Sequence, residues 1–303
     1  MSKLAIVIPY YKIEFFEETI KSIAAQSNKD FVLYIGNDAA PENPLPVIDL
    51  YFSPEKYHYY HYKENLGGEN LALQWERILE NVHEDWFQIL GDDDTIAENF
   101  VDEFYKSLPY VQANTISVIK TVHHHIDDLG NLININDYNT SVFNAIDFFQ
   151  NKYRGKVSSS LSENLFQTSM YKKYRFEKIP LAWGSDDIAI LAFSGVGKIF
   201  YNRNTFVHVR ISDYSISGSE RLQQQKSDAY NVFRETFLTK YSAHFPIDFV
   251  DEVLTKYLQY CYSKKLSANY SVSYYYLRNF KLFHFAKTIK KIHYVNAHKK
   301  RNG

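Results

Sequence analysis

Residues 4–38 read LAIVIPYYKIEFFEETIKSIAAQSNKDFVLYIGND, and this stretch decides the fold. Leu4-Ala5-Ile6-Val7-Ile8-Pro9 is a continuous apolar run that stops at a proline. Such a run predicts a central parallel strand buried on both faces. Phe16, Ile20, Ile23 and Ala24 then recur at helical spacing. A second apolar run, Phe31-Val32-Leu33-Tyr34-Ile35, ends in Gly36-Asn37-Asp38. Strand, helix and strand in so short a span make a βαβ unit.

The pattern continues outward. Tyr57 to Tyr62 predicts a third strand, ending in Lys63-Glu64-Asn65-Leu66-Gly67-Gly68. Leu71, Trp75, Ile78, Leu79 and Val82 mark the next amphipathic helix. Trp86-Phe87-Gln88-Ile89-Leu90 predicts a fourth strand, with Gly91-Asp92-Asp93-Asp94 at its C-terminal end. Ligands of open α/β sheets bind at the carboxyl ends of the strands. Asp38, the Asn65–Gly67 turn and the Asp92 cluster all fall at such ends, so one crevice could collect them.

Further along, Ile116–Ile126 and Leu132–Ile135, joined by Asp127-Asp128-Leu129-Gly130-Asn131, predict a β-hairpin. A helix is expected around Ala145–Phe149, and another from Asp186-Asp187 through Ile188–Phe193. Ile199–Tyr201 and Thr205–Val209 read as two short strands. From Glu220 onward the chain reads as helical.

Composition bounds the function. The 303 residues are 45% apolar, enough for a real core, and include 26 Tyr and 22 Phe. The single cysteine, Cys261, rules out an intramolecular disulfide and any thiolate metal site. The opening apolar run is too short for a signal peptide or a membrane span, so a cytoplasmic chain is expected. Val253–Gly303 carries eleven Lys/Arg and no Asp/Glu, whereas the first 252 residues carry 23 basic against 35 acidic residues. Basic residues do not stripe the body, which counts against nucleic-acid binding. Leu282, Phe285, Ala286, Ile289 and Ile292 fall on one face of the tail, with Lys287, Lys290 and Lys291 off it. That helix is expected either to lie peripherally on the inner face of an anionic membrane or to pack on protein.

Asp92-Asp93-Asp94 carries the strongest chemical signal. Adjacent carboxylates repel one another unless a cation neutralises them. Hard oxygen ligands suit Mg²⁺ or Mn²⁺. The alternative is a solvated turn in which Asp94 caps a helix beginning at Ile96. His123-His124-His125 reads as a polar hairpin strand, because neighbours on a strand face opposite ways and cannot share one ion. Lys63 and Arg77 read as surface charges.

Pro9-Tyr10-Tyr11, Asp38, Asn65-Leu66-Gly67 and Leu90-Gly91-Asp92-Asp93-Asp94, in that order, resemble the donor half of family 2 glycosyltransferases of the GT-A fold. The resemblance is good to about residue 105 and looser to about Ser217. It implies a Rossmann-like, mixed and mainly parallel sheet flanked by helices. The implied domain spans 1–217, with a donor half (1–105) and an acceptor half (106–217), followed by a helical basic region at 218–303. Pro9, Tyr10 and Tyr11 would line a nucleotide pocket, and Asp38 would accept a hydrogen bond from the base. Asn65 and Gly67 would order the nucleotide loop. Asp92 or Asp93 would meet the ribose, and Asp94 would coordinate the Mn²⁺ or Mg²⁺ that bridges the donor diphosphate, with Asp92 close by.

The family also carries an acidic pair at a downstream helix start. Trp183-Gly184-Ser185-Asp186-Asp187-Ile188 matches it, making Asp187 the expected general base; the alternative is a pair of acids that merely favour a helix dipole. In Val207–Ser217, His208 would touch metal or diphosphate and Arg210 would pair with phosphate. The implied activity is inverting transfer of a sugar, UDP-linked by preference, to a glycan or lipid-linked acceptor in surface polysaccharide assembly. A catalytically inactive GT-A scaffold and a nucleotidylyltransferase are the alternatives. The absence of glycine from Pro9-Tyr10-Tyr11-Lys12-Ile13-Glu14 weighs against the latter.

Overall fold

The apolar run forms a strand, β1 (Leu4–Tyr10), with every residue except Pro9 fully buried. This computed structural model describes residues 3–212 and 218–302. After β1 come α1 (Phe16–Ala24), β2 (Val32–Asp38), α2 (Leu45–Ile48), β3 (Tyr57–Tyr62), α3 (Gly67–Leu79), β4 (Trp86–Ile89), β5 (Thr95–Ile96) and α4 (Phe100–Ala113). The chain continues through β6 (Val118–Ile126), β7 (Leu132–Asn136), β8 (Val142–Asn144), α5 (Ala145–Tyr153), β9 (Asn164–Gln167), α6 (Thr168–Tyr174), α7 (Ser185–Phe193) and β10 (Lys198–Arg210). Two compact units result, Met1–Gln223 and Gln224–Gly303.

The first unit is an α/β fold around one sheet with strand order β3-β2-β1-β4-β9-β6-β10-β5, with β7 added beside β6 and β8 beside β10. The expected βαβ unit is present: β1 pairs in parallel with β2 and with β4, and β2 pairs in parallel with β3. Helix α1 buries Phe16, Ile20 and Ile23 against this half of the sheet. Beyond it the expectation of a mainly parallel sheet needs correction. β9 enters between β4 and β6 and runs antiparallel to both. β7 is antiparallel to β6, and β5 and β8 are antiparallel to β10, leaving only β6–β10 parallel there. The short turn at Asp127–Asn131 can join only antiparallel strands, whereas parallel pairing needs a long crossover.

Two local expectations also change. Ile199–Tyr201 and Thr205–Val209 lie in one strand, β10, whose register against β6 slips between Asn202 and Phe206. That slip interrupts the alternation, which makes the sequence read as two strands. Asp94 does not cap a helix at Ile96: Thr95 and Ile96 pair with His208 and Val207 of β10, and α4 begins only at Phe100.

The second unit contains α8 (Gln223–Thr236, from its second residue), α9 (Ile247–Ser263), α10 (Tyr274–Arg278) and α11 (Leu282–Asn302). α9 buries Phe249, Val250, Val253, Leu254, Tyr257, Leu258 and Cys261. α11 packs on α9 and buries Thr288, Ile292 and Val295. The predicted tail stripe is thus only partly right: Ile292 is core, while Leu282 remains 64% exposed. Among the described residues no helix is long and apolar enough to cross a membrane.

Candidate active site

Three strand ends and the start of α3 enclose a crevice of about 450 Å³, a size that suits a small organic ligand. Its acidic wall is the turn after β4. Asp92 Oδ2 accepts the backbone N–H groups of Tyr11 and Lys12, both at 2.8 Å, which ties the end of β4 to the end of β1. Thr19 of α1 supports the same turn by donating to the Asp92 carbonyl at 3.1 Å. Asp94 Oδ1 accepts the Arg210 amide at 2.9 Å, and Asp94 Oδ2 accepts the Ser162 hydroxyl at 2.5 Å. A carboxylate has about four lone-pair sites, so two donors leave Asp94 with capacity for another partner. Gly91 is required here, because a Cβ would lie 2.9 Å from Asp94 Oδ2 and 3.0 Å from Asp93 Oδ1.

Burial raises the affinity of all three carboxyls for protons above the ordinary carboxylate range, and the charges of the neighbouring aspartates add to it. A cation would relieve this repulsion. Among the described residues no group of three His, Cys, Asp or Glu forms a complete metal cage. The donor set instead fits an ion such as Mg²⁺, which commonly takes one or two carboxylates and completes its shell with phosphate and water.

The opposite wall is the turn before α3. Asp38, at the end of β2, accepts the amides of Leu66 at 2.9 Å and Gly67 at 2.7 Å. Gly67 must be glycine for this approach, since a Cβ would lie 2.5 Å from Asp38 Oδ2. Asn65 Oδ1 accepts the Gly68 amide at 2.5 Å and orders the same turn. Arg77 is not a surface charge as expected. Its guanidinium pairs with Asp38, reaches the Glu64 carbonyl at 3.0 Å, and lies 3.8 Å over the Tyr62 ring. Burial raises Asp38 even so, against the pull of the two amides and Arg77.

Pro9, Tyr11, Asp38, Asn65 and Gly67 line the crevice with Asp92, Asp93, Asp94 and Arg210, as the sequence groups them. Tyr10 does not: its ring is fully buried 4.5 Å from Phe16, and its hydroxyl donates to the Glu42 carbonyl. Arg210 borders the crevice, but its side chain is fully buried and committed elsewhere. It donates to the carbonyls of Asp93, Asp127 and Asp128, pairs with Glu18 at 2.5 Å, and stacks on Phe15. A guanidinium so engaged fixes the loop geometry and is not presented to a phosphate. His208 also stands apart from the lining, with Nδ1 3.3 Å from Thr95 Oγ1 and its ring packed on Phe206 and His124. Residues 213–217 of the same segment lie outside the described residues.

Ser160-Leu161-Ser162, Lys12 and Trp75 also line the crevice, and nothing in the sequence marks Lys12 or Trp75 for it. The Ser-rich stretch from Val157 to Leu165 reads from sequence as a lining of the acceptor site, and its Ser160-Leu161-Ser162 segment borders the same crevice as Asp38 and the aspartates. Ser162 braces the acidic turn from below, receiving the Gly91 amide at 3.1 Å and offering its carbonyl to Gln88. Next to it, Glu163 is fully buried and pairs with Lys120, also fully buried, and accepts the Ser160 amide at 2.8 Å. Lys120 and Lys152 both donate to Ser159, at 2.8 Å each.

This buried cluster reaches Asp186 and Asp187 at the start of α7, which packs on α5. Gly184 in the left-handed region turns the chain into the helix, and the Ser185 hydroxyl holds the Glu177 carbonyl at 2.7 Å. Burial pushes Asp186 up to about 7, with the charge of Asp187 adding to it. Burial raises Asp187 too, opposed by the charges of Lys152 and Lys120. Asp187 Oδ1 is buried with no hydrogen-bond partner among the described residues, and neither Asp186 nor Asp187 is among the residues that line the crevice.

The model of glycosyl transferase family 2 matches residues 5–179. Glycosyltransferase GlyA of Streptococcus pneumoniae serotype 4 is 22% identical over 185 residues, covering 60% of this chain and 24% of GlyA. The chain therefore spans about a quarter of that curated relative's length. Residues 1–349 of S. aureus TarS, solved in complex with UDP-GlcNAc, superpose with a TM-score of 0.60 at 12% identity, covering 99% of this chain and 92% of that one. A longer TarS structure gives a TM-score of 0.56 at 13% identity, covering 97% and 55%. At such identities the likeness to the solved structures concerns the fold.

Proposed function

The chain belongs to glycosyl transferase family 2, and from that premise we propose that it is an inverting enzyme moving a sugar from a nucleoside diphosphate, UDP by preference, to a glycan or lipid-linked acceptor hydroxyl. One observation carries the reading: three consecutive aspartates face a crevice whose other wall is the Asp38–Gly67 turn. In this reading the nucleoside lies between Pro9, Tyr11 and the Asp38–Gly67 wall, and Asp92 or Asp93 meets the ribose. Asp92 and Asp94 would hold Mn²⁺ or Mg²⁺. When bound, that ion offsets negative charge on the departing diphosphate.

Asp187 accepts the proton of the acceptor hydroxyl. The acceptor oxygen then bonds to the anomeric carbon as the bond from that carbon to the diphosphate breaks, and the electron pair leaves with the nucleoside diphosphate. A single displacement of this kind inverts the configuration. Lys152 and Lys120 support the charged form of Asp187.

The reading is tested by calorimetry with UDP, GDP and dTDP, with and without Mn²⁺. Binding of at least one nucleotide, strengthened by Mn²⁺, is expected. Absence of binding by all three would overturn it.

A further inference from the structure

Seven consecutive residues, Leu277-Arg278-Asn279-Phe280-Lys281-Leu282-Phe283, are exposed where α10 gives way to α11. Phe280 is 89% exposed, Phe283 76% and Leu282 64%. Adjacent bare apolar side chains of this size mark an interaction surface. The backbone sharpens the point. The Phe280 amide donates to the Leu277 carbonyl and the Lys281 amide to the Tyr276 carbonyl, the double bond of a Schellman helix stop. Phe280 occupies its left-handed position, at φ 55°, where glycine or asparagine is the usual residue. A bulky ring is kept there against its steric preference, and it points into solvent.

The exposed face of α11 continues the surface with charge. Phe283, Lys287, Lys290, Lys291 and Tyr294 follow one another at helical spacing, and all are exposed. The whole of Val253–Gly303 contains no acidic residue. Aromatic side chains at both ends of a lysine face, beside an apolar knuckle, fit the boundary between lipid headgroups and acyl chains. A nucleic acid would satisfy the lysines but leave Phe280, Leu282 and Phe283 in water.

We propose that the α10–α11 corner is a peripheral membrane-docking surface, in which Phe280, Leu282 and Phe283 insert into an anionic bilayer and Lys287, Lys290 and Lys291 contact its headgroups. The inserting element is the corner and not the Ile289–Ile292 stripe, since Ile292 is committed to the core.

Co-sedimentation of the full chain with vesicles tests this without reference to turnover, so it stands or falls apart from the transfer reading. Binding is expected to phosphatidylcholine vesicles containing phosphatidylglycerol, to weaken with salt, and to be slight on phosphatidylcholine alone. Phe280→Gly should lower the partition about tenfold while leaving the melting temperature equal or higher, because glycine suits the helix stop. Lys287→Glu with Lys290→Glu should lower it on anionic vesicles. Three results would each overturn the proposal: no binding to either vesicle; a concentration-dependent dimer that Phe280→Gly abolishes, which would show a second copy covering the corner; or tight binding to duplex DNA that Phe280→Gly leaves unchanged.

Discussion

The Arg77 guanidinium holds the Asp38 carboxylate from the far end of α3, so the Asp38–Gly67 wall of the crevice rests on an ion pair that joins β2 to a helix. The Asp38 side chain is 4% exposed, and removing its cation leaves a buried carboxylate with only two amides. Arg77→Met should cost about 3 kcal/mol in urea unfolding and weaken nucleotide binding. Arg77→Lys should restore little, because an ammonium cannot span both Asp38 and the Glu64 carbonyl in the guanidinium's geometry. Unfolding and binding curves that match the native protein would refute the role.

Gly67→Ala tests the same wall from the other side. The added Cβ would meet Asp38 Oδ2 at 2.5 Å and force the turn apart. A loss of about 1–3 kcal/mol is expected, together with a weaker nucleotide titration. Gly130→Ala supplies the comparison, since nothing lies within 4 Å of a Cβ there and its cost comes from positive φ alone.

The acidic pair on α7 gives a pH signature. Asp187 must be ionised to accept a proton. Burial raises it above the ordinary carboxylate range and pushes its neighbour Asp186 up to about 7, with the charge of Asp187 adding to the latter. Turnover is low where the pair is protonated, so kcat/KM should rise with pH through that region. Lys152→Met removes a charge that lowers Asp187, so the acid limb should move to higher pH. Turnover should then fall more at acid than at alkaline pH, by about tenfold for each unit of displacement. Lys152→Arg should restore the limb. An acid limb that Lys152→Met leaves in place would show that the lysine does not act on the base. Asp187→Asn should abolish turnover and keep nucleotide binding; retained turnover would instead remove Asp187 from the mechanism.

Much of this is legible in the sequence, and the boundary has a physical cause. β1, β2 and β4 are read correctly because strands buried on both faces leave short, mostly apolar runs, and their carboxyl ends locate Asp38 and Asp92–Asp94. Arg77 is misread because its partner lies on another element, and a helical arginine looks the same whether it faces water or a carboxylate. The engagement of the Arg210 side chain is invisible for the same reason: its carbonyl partners Asp127 and Asp128 come from a distant turn. β9 leaves only four residues of signal, and nothing in Asn164–Gln167 says that it will pair antiparallel between β4 and β6. Lys120 did leave a trace, as the one charge inside the apolar run Val118-Ile119-Lys120-Thr121-Val122.

The Lys120–Glu163 pair offers a test of stability. Burial drives the His123 pKa down to about 4, so His123 is uncharged at neutral pH, and Lys120 is the cation ion-paired with Glu163. Glu163→Gln and Lys120→Met should each destabilise the fold by about 3–5 kcal/mol, by stranding the partner's charge. The double variant should cost less than the sum, a coupling that a thermodynamic cycle measures. Glu163 titrates below its ordinary range in the fold, so its contribution is fully present above the unfolded carboxyl's pKa and is lost as pH falls through the lower pKa it has in the fold. Additive costs would mean that the two residues act separately.

The braces on Asp94 impose an order on synthesis. Ser162 and Arg210 hold its two oxygens, yet both are made long after the aspartates. A nascent chain that has emerged only as far as α4 carries the β1–β4 core and the Asp92 contacts to Tyr11 and Lys12, but Asp94 has neither partner. The acidic wall therefore closes late, when β9 and β10 arrive. Ribosome-bound intermediates stalled before β10 should protect β1 and β4 from proteolysis while remaining unable to retain nucleotide, and competence should appear in one step as Arg210 leaves the exit tunnel.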